Sequence, residues 1–347
     1  MTDEVLIRRE GSAAFLSLNR PKALHALTLE MCHAMTAALL EWRDDPAVHT
    51  VVIDHAEGRG FCSGGDIAVL RNSALNDGGV SGRQFFFDEY RLNHLIFTYE
   101  KPIVAFMDGI TMGGGVGIAQ HARFQVATEH TRYAMPETDI GLFPDVGGGW
   151  FLSRLPGRLG QFLALTGARI DGAECKWAGL ASHYLLSETL VEAKARIAAG
   201  HEPGGVLSAL AAKCPEAKIQ SHAGQIARHF ASDRYEDILA SLDSDDSDWA
   251  ARELAILRGK SPQACKVVLR QLHDSLACET FAENMAMEYR IGSRVLILPD
   301  FAEGVRAVIV DKDRAPKWNP ATPEAVTEAQ IDRIFAPLPA GEEWTPL

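Results

Sequence analysis

Two glycine-rich turns and two carboxylates are the residues of this chain whose types and spacing suit chemistry. The first turn is Gly64-Gly65-Asp66, closing GFCSGGDI; the second is Gly113-Gly114-Gly115, in GITMGGGVG after the apolar run KPIVAFM. Glycine has no Cβ, so backbone N–H groups can approach a ligand closely. At a strand-to-helix turn those N–H groups point outward and carry the partial positive charge of a helix start, which suits an anion or a developing oxyanion. Glu137 follows Pro136 in AMPETDIG, and Asp145 follows Pro144 in FPDVGGG, just before the triplet Gly147 to Gly149. Carboxylates beside an oxyanion site can supply an acid, a base or a nucleophile. Each feature alone has a plainer reading, such as tight strand-to-helix packing for the glycines or a surface turn for Glu137. The pairing of two such turns with proline-flanked acids is what points to a site. Neither glycine loop suits a nucleotide fold: GITMGGGVG lacks the Lys-Ser/Thr of a phosphate loop, and no early G-x-G-x-x-G unit is present.

The surrounding elements alternate. VLIRRE and AAFLSLNR read as a hairpin, and Thr28 caps a helix over LEMCHAMTAALLEWRDD. TVVID is a short buried strand, and residues 57–67 form a glycine-rich loop. Residues 81–100 read as a helix whose apolar face is broken by Asp88, Glu89 and Arg91. KPIVAFM, FQVAT and YAM read as further strands. Strands alternating with helices imply parallel pairing and an α/β core. From Ser187 to Pro299 nearly every segment has helical periodicity, and the tail from DRAPKWNP is a basic loop before a last short helix. Residues 1–186 are expected to form the core with the site, and 187–347 a helical C-terminal region.

A chain of 347 residues can bury a large core. Its net charge of −12 argues against a nucleic-acid partner. No apolar run is long enough to span a bilayer, and the charged start MTDEVLIRRE shows no targeting segment, so no membrane partner and a cytoplasmic setting are expected. The six cysteines lack metal-ligand spacing and suit buried thiols in a reducing compartment; no metal site is expected.

GFCSGGDI, GITMGGGVG and YAMPETDIGLFPDVGGG together resemble the crotonase superfamily of acyl-CoA enzymes. The resemblance runs nearly the whole length, through NRPKALHALT, FFFDEYRLN, FLALTGARI, SPQACKVVLRQL, MEYR and DFAEGVRAVIVDKDRAPKWNP. That last block is similar to the hydrolase branch, the thioesterases of valine breakdown. The resemblance implies a ClpP/crotonase-like α/β spiral of ββα units with a helical C-terminal region. It implies hydrolysis of a short β-hydroxyacyl-CoA thioester, with enoyl-CoA hydration or isomerisation, or a silent CoA-binding scaffold, as alternatives. An acyl-CoA is the implied partner, with no separate cofactor because CoA is part of the substrate. Self-association into a homo-oligomer is left open.

By position in the family pattern, the N–H groups of Gly65 and Gly114 hold the thioester oxyanion. Glu137 matches the catalytic glutamate, as nucleophile or as general base on water. Asp145 matches the position that meets the acyl group, and Glu89 a residue lining the substrate pocket. CoA is expected along Lys22, Ala23 and Leu24 and along Ser63, Gly64, Asp66 and Ile67, with Arg20, Lys22 and Lys101 as cations for its phosphates. Two positions depart from the pattern. Gly117 stands where hydratases carry a second glutamate, which weakens the hydration reading. His25 stands where an asparagine is often found.

Overall fold

The computed structural model describes residues 2–347. Its strands are β1 (Val5–Glu10), β2 (Ala13–Leu18), β3 (Thr50–His55), β4 (Gly60–Cys62), β5 (Ile103–Met107), β6 (Ile110–Met112), β7 (Phe124–Ala127), β8 (Arg132–Ala134), β9 (Ile170–Asp171) and β10 (His183–Tyr184). Six of them form one sheet in the order β1-β2-β3-β5-β7-β10, and four form a second in the order β4-β6-β8-β9. β1 and β2 are the expected antiparallel hairpin; every later pairing in the large sheet is parallel. Successive strand pairs β3–β4, β5–β6 and β7–β8 each place one strand in either sheet before the chain turns into a helix or helical turn. This is the spiral of ββα units.

The large sheet is buried on both faces, which is why its central strands read as continuous apolar runs. Alternate residues go to alternate sides. Leu16, Ile53, Ala105 and Met107 join the main core, while Phe15, Val52, Val104, Phe106 and Val126 face Leu190, Ala193, Ile197 and Leu207 of two later helices. The main core continues across residue 186, because Val268, Leu272, Met285 and Ile291 belong to it. The helix Pro262–Ala277 packs on the short helix Gly148–Ser153, and Phe281–Val295 packs on Val80–Phe97. Among the described residues, no helix is long and apolar enough to cross a membrane.

Three sequence expectations change. The glycine-rich stretch 57–67 contains β4, and ITM after Gly109 is β6, so a second sheet appears that the sequence did not announce. Three-residue strands are shorter than the window in which alternation can be read. The helix expected at 81–100 runs from Val80 to Phe97. Glu89 lies on that helix's buried face, beside Phe85, Phe86 and Tyr90.

Candidate active site

The two glycine turns close on each other. The first ends β4 and the second ends β6, and these strands pair in parallel. Gly64 (φ +114°) and Gly113 (φ +49°) hold backbone conformations that a Cβ disfavours. A Cβ on Gly114 would stand 3.2 Å from the Gly65 nitrogen and only 2.4 Å from Glu89 Oε1. Gly114 begins the helix Gly114–Gln120, so its N–H has no intrahelical acceptor. Among the described residues no acceptor takes the Gly65 N–H either. Two free N–H groups from separate turns therefore border one point, as a shared oxyanion requires.

A cavity of about 460 Å³ opens at that point. Gly64, Gly65, Gly114, Glu89, Glu137 and Asp145 all line it. So do Ala23, Leu24, Ser63, Asp66 and Ile67, the expected CoA track. Lys22 is exposed on the 3-10 turn Pro21–Ala23 and does not line the cavity.

The three carboxyl groups come from three elements. Glu89 projects from the helix Val80–Phe97, Glu137 opens the 3-10 turn Glu137–Ile140 behind Pro136, and Asp145 precedes the helix Gly148–Ser153. They are 2%, 5% and 5% exposed. Glu137 Oε2 and Glu89 Oε1 have no hydrogen-bond partner. Burial, and then the charge of Asp145, holds both glutamates well above the usual carboxylate range. Asp145 rises less, to about 6; burial lifts it, while the Tyr90 hydroxyl donates to its Oδ2 at 2.8 Å and holds it down. A carboxyl group poised near working pH is suited to acid–base chemistry.

Two of the expected phosphate cations are engaged elsewhere. Lys101 Nζ donates to the carbonyl oxygens of Trp42 and Asp45, both at 2.6 Å, and so closes the C-terminal end of the helix Leu29–Arg43. This corrects the reading of Lys101 as a CoA ligand: its ammonium adds a charged donor to two carbonyls at a helix end that also accept backbone N–H groups. Arg20 pairs with Glu4 at 2.9 Å and Asp66 at 3.3 Å, and donates to the Ala26 carbonyl. It ties the segment around Ala26 to Asp66. His25 ties Arg20 to Glu57: its Nδ1 accepts from the Arg20 N–H at 2.9 Å and its Nε2–H donates to the Glu57 carbonyl at 2.8 Å.

Sequence reasoning missed several lining residues. Phe85 and Phe86 give the cavity an apolar wall, Asp139 and Arg169 stand on it, and Val308 and Ile309 close one side from the C-terminal region. It also missed Tyr90, the partner of Asp145, although Tyr90 directly follows Glu89 in FFFDEY. Among the described residues no group of three or more His, Cys, Asp or Glu side chains is arranged to hold a metal ion.

Gly117 is a matter of space. A Cβ there would stand 2.6 Å from Val146 Cβ and 2.9 Å from Asn93 Nδ2. The packing around the helix Gly114–Gln120 leaves no room for a side chain at Gly117.

Two free N–H groups at crossed glycine turns, with a glutamate beside them on a two-sheet ββα spiral, define a class of acyl-CoA enzymes. The chain belongs to the enoyl-CoA hydratase/isomerase family, whose model matches residues 13–335. It is 42% identical to rat mitochondrial 3-hydroxyisobutyryl-CoA hydrolase, over 97% of this chain and 90% of that protein. The human mitochondrial 3-hydroxyisobutyryl-CoA hydrolase is 41% identical over 97% and 89%. Among solved structures, a carnitinyl-CoA dehydratase from Mycobacterium thermoresistibile superposes with a TM-score of 0.94 at 38% identity, covering 99% of both chains. An enoyl-CoA hydratase from Rhodobacter sphaeroides 2.4.1 gives 0.92 at 39%, covering 99% of this chain and all of that one.

Proposed function

We propose that this protein hydrolyses the thioester of a short β-hydroxyacyl-CoA, with 3-hydroxyisobutyryl-CoA as substrate and 3-hydroxyisobutyrate and CoA as products. The observation that carries this reading is the convergence of Glu89, Glu137 and Asp145 on one cavity bordered by the Gly65 and Gly114 N–H groups. The names of the rat and human relatives support it.

In this scheme the thioester oxygen lodges between the two N–H groups, each worth about 3 kcal/mol to the tetrahedral intermediate. Ionised Glu137 either attacks the carbonyl carbon, or takes a proton from a water that attacks. Collapse of the intermediate breaks the C–S bond, and the CoA thiolate leaves and is protonated. In the first route a mixed anhydride forms, and water then hydrolyses it to free the acid and Glu137. Asp145 accepts a hydrogen bond from the substrate's β-hydroxyl. Glu89, with Oε1 beside Gly114, lines the acyl end. CoA lies along Ala23, Leu24 and Ser63–Ile67, and no separate cofactor takes part.

The assay is release of free thiol from 3-hydroxyisobutyryl-CoA, followed with a thiol reagent. Its absence would refute the reading. Single turnover in H2 18O tests the first route: label in the Glu137 carboxyl group establishes an anhydride opened at the Glu137 carbon, whereas opening at the acyl carbon and direct attack by water both put the label in the product acid.

The names of the two solved relatives favour a second reading, hydration of an enoyl-CoA. Asp145 would then have to stand in for the carboxylate that Gly117 lacks. Loss of the crotonyl-CoA double bond faster than thiol release would establish that reading.

We place the reaction in a reducing aqueous compartment, since all six cysteines are unpaired. The sequence favours the cytoplasm; the animal relatives are named as mitochondrial, a compartment that keeps thiols reduced as well.

A further inference from the structure

Two C-terminal blocks, residues 261–272 and 287–290, have no part in the scheme above, yet both end beneath the turn that carries Asp145. Glu288, on the helix Phe281–Val295, is fully buried (0% exposed) and has no cationic partner within ion-pair distance among the described residues. Instead four N–H donors converge on it. Its Oε2 accepts from the Gly147 N–H at 2.7 Å. Its Oε1 accepts from the Gly149 N–H at 2.9 Å, from Gln271 Nε2 at 3.0 Å and from Asn284 Nδ2 at 2.9 Å. Gln271 Nε2 also donates to the Pro144 carbonyl at 2.7 Å.

The backbone on both sides of Asp145 is thus tied to a single side chain. Pro144 is held through Gln271, and Gly147 and Gly149 directly. Both oxygens of Glu288 act as acceptors. An amide in its place has only one acceptor oxygen, so its NH2 must face at least one N–H. The orientation that spares the three donors on Oε1 turns the NH2 toward Gly147, two residues from Asp145. A buried carboxyl group with no cation is costly to keep, and an apolar residue would fill the same helix position.

We infer that Glu288 is a positioning residue: it locks the 144–149 turn so that the Asp145 carboxyl meets Tyr90 on one side and the acyl pocket on the other, and in this way it sets the preference for a hydroxylated acyl group. The preference rests on the role proposed above for Asp145; the locking of the turn does not.

The experiment is a double-mutant cycle on kcat/KM, with 3-hydroxyisobutyryl-CoA and isobutyryl-CoA as substrates, in wild type, E288Q, D145A and the double variant. E288Q is expected to lower kcat/KM on the hydroxylated thioester about tenfold, the size of one buried hydrogen bond lost. The same substitution should cost less than about twofold once Asp145 is absent, because the two residues act as a unit. Gln271→Met cuts the tie to Pro144 while Gln271 Oε1 has no partner to lose, so it should repeat the loss and should also be absorbed by D145A. It carries the test if E288Q does not fold. Equal losses with and without Asp145, or wild-type kcat/KM in folded E288Q, would overturn the inference. The hydroxyl role is judged separately. If D145A lowers both thioesters by the same factor, that role falls, while the coupling between positions 288 and 145 still decides the role of Glu288.

Discussion

Replacing Asp145 by asparagine should change how the protein's stability depends on pH. Asp145 is buried and its proton affinity rises from an ordinary value of 3.8 to about 6. The folded state therefore holds this proton more tightly than the unfolded chain does. The corresponding stability is fully present below pH 3.8 and is lost as pH rises through about 6. A rise of about two pH units corresponds to about 3 kcal/mol, at 1.36 kcal/mol per unit. Asparagine does not titrate, and its amide oxygen can still accept from the Tyr90 hydroxyl, so the variant keeps the contact without the penalty. Urea unfolding of wild type and Asp145→Asn, measured from pH 4.5 to 8, should show the variant gaining on wild type up to about pH 6 and holding a constant lead above it. The catalytic counterpart is a shift of the acid limb of kcat/KM. The Asp145 charge raises Glu137, so its removal should let Glu137 ionise at lower pH, even as turnover falls. A stability difference that is flat from pH 4.5 to 8 would refute the account of a buried, penalised carboxylate.

Glu137→Gln should keep the fold and CoA binding and lose thioester cleavage by at least about a hundredfold, the low end of acid–base contributions; near-normal thiol release would remove Glu137 from the mechanism. Gly117→Glu should not create a hydratase, because the new Cβ meets Val146 and Asn93; it should lower the melting temperature instead, and rapid crotonyl-CoA hydration by a stable variant would contradict the packing argument. Lys101→Met should leave KM for the acyl-CoA within about twofold and cost about 1 kcal/mol of stability by removing the charged donor from the Trp42 and Asp45 carbonyls, which keep their backbone donors; a large rise in KM with unchanged stability would return Lys101 to the CoA site.

How much of this site the sequence discloses depends on the range of the interactions that build it. The two oxyanion turns are local objects: Gly64 and Gly113 need backbone angles that glycine favours, so the glycine runs mark the turns, and their pairing with the proline-flanked acids marks the site. Glu137 and Asp145 are similarly marked by Pro136 and Pro144. Glu89 was harder to place, because on a helix whose apolar face is interrupted, a buried carboxyl group and a solvated one look the same. Lys101 was misleading for the opposite reason. A lysine before a buried strand looks free, and the helix end it closes lies 56 to 59 residues earlier in the chain. The cradle under Asp145 is the extreme case. Glu288 meets Gly147 across 141 residues and Gln271 meets Pro144 across 127, and nothing near any of these positions marks the pairing. The chemistry is thus written in short turns, while the parts that hold Asp145 in place come from distant helices. A chain cut before the helix Pro262–Ala277 would retain every residue of the proposed reaction and lose the ties on both sides of Asp145.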